Sequence, residues 1–192
     1  MPELIALFIP RYARDEQDDR RGENVLEEAP LARAFRATPT GLYLYTTSRD
    51  GKPNVQFAFR ALGLMDDPPL LLIGMQTGNY SYETVQQTGE LVLNTCSEAH
   101  IGSINKSRGL SGRDTEDKFA ILGLTPVPAK HVKPPLVKDS YASVECRVLR
   151  EIEHVEGLAL FLVEALACYV DEDHPPVARL TAKTLRLGEI LD

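Results

Sequence analysis

A mainly β protein, a Greek-key β-barrel with short helices plugging its ends, is the fold class this 192-residue sequence predicts. Three observations carry it. Roughly six runs rich in strand formers are separated by turn signals such as Asp50-Gly51, Asp66-Asp67-Pro68-Pro69 and Pro175-Pro176. The stretches with helical spacing are few and short. No alternating strand–helix–strand rhythm, GxGxxG or P-loop occurs, which disfavours a doubly wound nucleotide-binding fold.

Residues 1–37 read as an N-terminal arm ahead of a domain spanning 38–192. Leu4 to Ile9 form an apolar patch ending at Pro10, Tyr12 to Glu23 are highly charged, and Val25 to Arg36 include a short helix near Pro30. Such an arm packs across a partner subunit or covers a sheet edge. The domain begins at Gly41. Leu42 to Thr47 carries Tyr43, Tyr45 and two threonines, all strand formers. Asp50-Gly51 closes a hairpin onto a strand from Val55 to Met65. That strand ends at Pro68-Pro69, since proline donates no ladder hydrogen bond. Leu70 to Met75 is a continuous apolar run, the pattern of a strand buried on both faces.

Gln76 to Asn79 is loop-forming. Tyr80 to Thr88 has helical spacing stopped by Gly89, and Leu91 to Thr95 is the next strand. Ile101 and Ile104 predict a helix, followed by the flexible Ser107 to Gly112. Thr115 to Leu122 predicts another, capped by Thr115 and stopped by Gly123. Pro126 to Pro135 is a connector without regular structure. Tyr141 to Glu153 alternates, with Val144, Cys146 and Val148 against Glu145 and Arg147, as a half-buried antiparallel strand does. After a turn at His154 to Gly157, the apolar Leu158 to Val170 predicts a long central strand. The tail from Arg179 to Leu191 has no strong periodicity.

Charge and composition exclude several functions. A net charge of −7 and pI near 5.2 argue against nucleic-acid or anionic-membrane partners. No run approaches the ~18 apolar residues of a membrane helix, and the N-terminus has no basic leader or small-residue cleavage site, so a cytoplasmic protein is expected. Cys96, Cys146 and Cys168 form no CxxC or Cys/His cluster; they read as buried reduced thiols, with no metal site. The four histidines, His100, His131, His154 and His174, fall in turns or loops and read as solvated. No GxSxG elbow accompanies them. The paired carboxylates lie at turns. Lys106, Arg108, Arg113 and Lys118 cluster in an otherwise acidic chain, and Arg108 and Lys118 are kept as candidate binders of a phosphate or pyrophosphate. No acid–base machinery is visible, as expected where a cofactor carries the chemistry.

One ordered set of motifs goes further. Gly51-Lys52-Pro53-Asn54, Asp67-Pro68-Pro69, the strand Leu70 to Met75, and Thr88-Gly89-Glu90-Leu91-Val92-Leu93-Asn94 are followed by Asp117-Lys118-Phe119, Gly123-Leu124-Thr125, Pro134-Pro135 and Glu145-Cys146. In this order they resemble the flavin reductase-like family over roughly residues 38–172. The resemblance implies an FMN-binding Greek-key split β-barrel that transfers hydride from NADH or NADPH to flavin or a small acceptor. It implies a homodimer with the flavin near the subunit interface. Asn54, Val55, Gln56, Phe57, Ala58 and Phe59 would run along the ring and ribityl chain, with Arg60 as a substitute phosphate or ring partner. Gly74 and Met75 would let backbone approach the flavin. Asn79, Tyr80, Ser81 and Thr84 would hold the phosphate at a helix start, with Asn94 nearby. The chain departs from many relatives in carrying Phe59-Arg60 where they have serine or threonine. The alternatives are a flavin-binding electron carrier without turnover, and a split barrel using another cofactor.

Overall fold

The computed structural model describes residues 38–180 and 183–186, so the expected arm over residues 1–37 lies outside the described residues. After β1 (Thr40–Gly41), β2 (Tyr43–Arg49) and β3 (Lys52–Ala58) form the expected hairpin, with Arg49 opposite Lys52. Asp50 and Gly51 take φ of 54° and 76°. These are the two left-handed positions of a type I′ turn, which an Asp-Gly pair tolerates.

Next come β4 (Ala61–Asp66), β5 (Pro69–Gln76), α1 (Tyr80–Thr88) and β6 (Glu90–Thr95). A 3-10 turn (Glu98–His100), α2 (Ile101–Lys106), α3 (Lys118–Leu122), β7 (Pro126–Val127) and β8 (Leu136–Val137) follow. The long β9 (Ala142–Val155) and β10 (Leu158–Val170) precede a final hairpin of β11 (Val177–Leu180) and β12 (Lys183–Arg186). Seven strands form one antiparallel sheet in the order β3-β2-β6-β9-β10-β5-β4. Three irregularities of register between β9 and β10 let these long strands coil.

The single strand expected from Val55 to Met65 is therefore two. β3 stops at Ala58 and β4 starts at Ala61, yet they occupy opposite edges of the sheet. Two residues, Phe59 and Arg60, join those edges, so the sheet must roll up. The Arg60 carbonyl accepts from the Gly74 amide of β5 at 2.9 Å and from the Tyr45 hydroxyl of β2. One carbonyl thus ties both ends of the rolled sheet. No local pattern distinguishes a straight strand from one that changes its partner at this corner.

Two cores result. Inside the barrel, Tyr45, Ile73, Met75, Leu91, Leu93 and Phe161 pack with Val85 of α1, which plugs one end. On the far face of β2 and β3, Leu44 and Val55 pack with Cys96, Val177, and Phe119 and Leu122 of α3. β2 is buried on both faces for that reason. β5 was expected to be so, but only Ile73, Gly74 and Met75 are buried. Leu72 is opposite Leu62 of β4 and Leu162 of β10, and residues directly opposite share a face. That row lies outside the barrel, with Leu62 59% and Met65 51% exposed.

Smaller differences have physical causes. Asp117, not Thr115, caps α3, its carboxylate accepting from the Ala120 amide at 2.9 Å. The helix starts later than the spacing predicts, and Gly123 stops it in the left-handed region. The connector after α3 holds a short pairing of β7 with β8, and the unpatterned tail holds the β11–β12 hairpin. Glu145, on the polar side of the alternation, is fully buried. Its carboxylate accepts from the amides of Lys130, His131 and Val132 and from the Tyr169 hydroxyl. His100 is also buried: its Nδ1 accepts from the Ser97 amide, and Nε2 lies 3.0 Å from the Lys138 carbonyl. Burial pushes its pKa down from the usual histidine value. Cys96 and Cys146 are buried, but Cys168 is exposed.

Candidate functional site

The edge strand β3, the N-terminus of α1, the loop 107–113 and the start of α3 surround a cavity of about 390 Å3. β3 pairs with β2 on one side only, so the backbone of its other edge is open to a ligand. From this strand Asn54, Gln56 and Phe57 line the cavity. Asn54 is buried, and its Nδ2 donates to Ser81 Oγ at 2.9 Å and Thr47 Oγ1 at 3.3 Å. Its Oδ1 has no partner. A buried amide oxygen left bare costs about 1–3 kcal/mol, and Gly112 packs over this one.

Gly78, Asn79, Tyr80 and Ser81 supply the second wall. Asn79 sits at the N-cap of α1 in extended conformation but makes no side-chain capping bond. The amides of Tyr82 and Glu83 return to its carbonyl. The first amides of a nine-residue helix are thus left facing a polar cavity, the arrangement that attracts anions. Tyr80 presents its ring, with the Arg49 guanidinium 5.1 Å from the ring centroid.

The third wall is the loop after α2, including Ser107, Leu110, Ser111 and Gly112. A Cβ on Gly112 would lie 2.4 Å from Tyr80 Cδ1 and 2.5 Å from Asn54 Oδ1. Only a glycine lets the loop come this close to β3 and α1. The loop is strapped down: Arg113 Nη1 donates to the Gly78 carbonyl at 3.1 Å, Arg113 Nη2 pairs with Glu83, and Lys52 Nζ donates to the Gly112 carbonyl at 3.3 Å. Lys118, first residue of α3, completes the lining; it is 6% exposed, and burial pushes its pKa down from the usual amine value.

The residues singled out from sequence divide clearly. Asn54, Gln56, Phe57, Asn79, Tyr80, Ser81 and Lys118 are brought together around the cavity. Val55 and Ala58 are buried in the two cores, and Phe59 packs against the core beside α3. Arg60 and Gly74 form the barrel corner, where a Cβ on Gly74 would meet Arg60 Cβ at 2.9 Å. Met75 is core. Thr84 Oγ1 donates to the Tyr80 carbonyl inside α1. Asn94 is fully buried and saturated, donating to the Leu44 carbonyl and accepting from the Val137 amide and Ser143 hydroxyl. Arg108 is exposed and outside the lining. Of this loop's lining residues only Arg113 is weighed from sequence, within the basic cluster, and Ser107, Gly109, Leu110, Ser111 and Gly112 were missed as lining; the Ser-Arg-Gly-Leu-Ser-Gly-Arg run signals a loop but not what it lies over.

The chain matches the flavin reductase like domain over residues 35–184, most of its length. It belongs to the flavin reductase-like family. The rolled seven-stranded sheet is that family's split barrel. Flavoredoxin of Desulfovibrio vulgaris (Miyazaki F) is 28% identical, with a TM-score of 0.74 over 86% of this chain and 96% of that one. The NADH:FAD oxidoreductase of Streptomyces globisporus C-1027 shares the fold at 18% identity and a TM-score of 0.74, over 83% of this chain and 92% of that one. A protein of Archaeoglobus fulgidus is 33% identical over 115 residues, 60% of this chain and 64% of its own length, so the match spans just under two thirds of that relative. Among the described residues no helix is long and apolar enough to cross a membrane.

Proposed function

We propose that this chain binds FMN in the cavity beside β3 and is an NAD(P)H-dependent oxidoreductase passing hydride to flavin or a small acceptor. The observation that carries the reading is the cavity's composition: an uncapped helix N-terminus and a buried cation at one lining, an open strand edge along another, and the Phe57 and Leu110 side chains as apolar wall. These residues suit a ligand with a phosphate, a polyhydroxyl chain and a flat heterocycle. When bound, the flavin supplies the hydride chemistry. The chain's part is to bind and orient. Ser81 and the α1 amides hold the phosphate, and the β3 edge meets the ring. The strapped loop 107–113 excludes water from that side. Family membership supports the reading.

We place the active form as a homodimer, supported by the apolar outer row of Leu62, Leu72 and Leu162 with Met65 beside it, in which Leu62 and Met65 are exposed and Leu72 and Leu162 half-buried. A cytoplasmic location suits the reduced thiols of Cys96 and Cys146, the latter pushed up to about 12 by burial.

The test is the visible spectrum of the purified protein with added FMN, before and after NADH or NADPH under anaerobic conditions. Flavin that binds and bleaches supports the oxidoreductase and reveals the preferred donor. Bound flavin that stays oxidised with both donors refutes turnover and leaves an electron carrier. No binding refutes the site.

A further inference from the structure

Asn54 lines the cavity yet has no proton left to give a ligand. It is 2% exposed, and its Nδ2 donates twice, to Ser81 Oγ at 2.9 Å and to Thr47 Oγ1 at 3.3 Å. Both amide protons are thus spent inside the protein. Its Oδ1 is sealed under the loop 107–113. A Cβ on Gly112 would lie 2.5 Å from that oxygen, so the glycine hydrogen standing in its place points at Oδ1. Turned over, the amide would set its N–H protons against that C–H group instead. Gly112 therefore fixes which way Asn54 faces.

The consequence falls on Ser81. A serine hydroxyl holds one proton and two lone pairs. The Asn54 amide occupies a lone pair of Ser81 Oγ, so the hydroxyl proton has to point elsewhere. Ser81 is 1% exposed, and that proton has no acceptor among the described residues. Thr84, three residues further along α1, differs: its proton returns to the Tyr80 carbonyl. Ser81 lines the cavity, and there its proton finds room for an acceptor. The Tyr80 and Ser81 amides, at the uncapped N-terminus of α1, likewise meet no acceptor among the described residues. This wall offers protons only.

We propose that Asn54 is a positioning residue. Held by Gly112 and Thr47, it turns Ser81 from a hydroxyl that can accept or donate into one that only donates. Asn54 acts through Ser81 and makes no hydrogen bond to the ligand itself. The inference rests on the flavin reading above for the identity of that ligand. A wall of donors bonds a charged phosphate oxygen more strongly than a neutral hydroxyl. Asn54 thereby sets a preference for FMN over riboflavin, whose polyol ends in a hydroxyl.

The experiment measures FMN and riboflavin affinity by fluorescence titration for wild type, Asn54→Ala, Ser81→Ala and the double variant, with each thermal midpoint as a folding control. Asn54→Ala should weaken FMN about three- to tenfold, the range of one misdirected hydrogen bond, and riboflavin less than about twofold. In the Ser81→Ala background, Asn54→Ala should change FMN affinity by less than about twofold, because the path between them is already cut. FMN losses that add, or equal losses of FMN and riboflavin, would make Asn54 a structural residue and overturn the proposal. Should Asn54→Ala not fold, Thr47→Val takes its place, keeping the buried shape while removing one acceptor of the amide. It should weaken FMN about two- to threefold, and only while Ser81 is present. No loss, or a loss that persists beside Ser81→Ala, overturns the proposal. If neither flavin binds wild type, the flavin reading fails and inorganic pyrophosphate becomes the probe. A midpoint that pyrophosphate raises in wild type but in neither single variant keeps the positioning role. No rise in wild type, or an equal rise in all, overturns that role too.

Discussion

At the residue scale the site separates groups that touch the cavity from groups that hold it in shape. Ser81 and Thr84 sit three apart on α1, and from sequence both are candidate phosphate ligands. Both are buried, but Ser81 lines the cavity, whereas Thr84 lies outside the lining and is bonded back to the Tyr80 carbonyl. Ser81→Ala should therefore weaken FMN about three- to tenfold, the loss of one modest hydrogen bond. Thr84→Ala should lower the thermal midpoint and leave FMN affinity nearly unchanged; equal losses of affinity, read by fluorescence titration, would contradict this division. Lys118 adds a pH dependence. Its folded pKa is lowered by burial, so the unfolded chain holds that proton to higher pH. Stability of the ligand-free protein should then rise with pH through the interval between the lowered folded value and the ordinary amine value. An anion beside Lys118 restores the proton. FMN binding should take up a proton in that interval and weaken as pH rises through it, and Lys118→Met should abolish both effects in calorimetry run in two buffers.

Elements place these residues, and two devices do most of the placing. The first is the corner at Phe59-Arg60, where one carbonyl joins β2, β5 and the end of β3. By turning the chain there, the fold leaves β3 as a free edge, the strand backbone that the proposed ligand would meet. The second is Glu145, whose buried carboxylate gathers three consecutive amides of the connector that runs from β7 to β8. Desolvation of Glu145 opposes ionisation, but the bonds from Lys130, Tyr169, His131 and Val132 outweigh it and hold its pKa below the usual value. The stabilisation is fully present above the ordinary glutamate pKa and is lost as pH falls through the lowered folded value. Glu145→Gln keeps the shape but removes the charge, so it should cost about 2–4 kcal/mol at neutral pH. Denaturant titrations from pH 7 to 3 should show the wild-type excess shrinking on acidification. A constant difference would mean the carboxylate charge contributes nothing.

For the whole molecule the open question is what covers the outer sheet. Inward, Ala61, Ile73 and Phe161 form one row of the core; outward, Leu62, Leu72 and Leu162 form its counterpart. Alternation along β4 and β5 thus gives two apolar faces, while one barrel has a single interior to fill. The homodimer proposed above buries the second face in another copy of the chain. A double variant, Leu62→Glu with Met65→Glu, changes only exposed positions and should yield monomers in sedimentation velocity while retaining the fold by circular dichroism. Wild type that already sediments as a monomer would remove the proposal.

Local chemistry determined much of this protein from sequence alone. The Asp50-Gly51 hairpin, the helix stopped at Gly89, the helix around Ile101 and Ile104, and the long strand from Leu158 to Val170 all depend on neighbours within a few residues. Turn type, left-handed glycines and side-chain periodicity express themselves over that range. The ordered motifs from Gly51 to Cys146 carried the family, and with it the split barrel. Asn54, Tyr80, Ser81 and Lys118 were legible as candidates because motif and polarity coincide there. The tertiary structure alone decided which candidates share a cavity. Gly74, Met75 and Asn94 belong to the same motifs but face core or corner, because strand closure and burial depend on partners far away in sequence. Gly112 reached the site for the opposite reason. It looks like any loop glycine until the loop is seen lying on Asn54 and Tyr80. Contacts between segments sixty residues apart leave no periodic trace in either segment, so the fold must bring them together before their chemistry can be read.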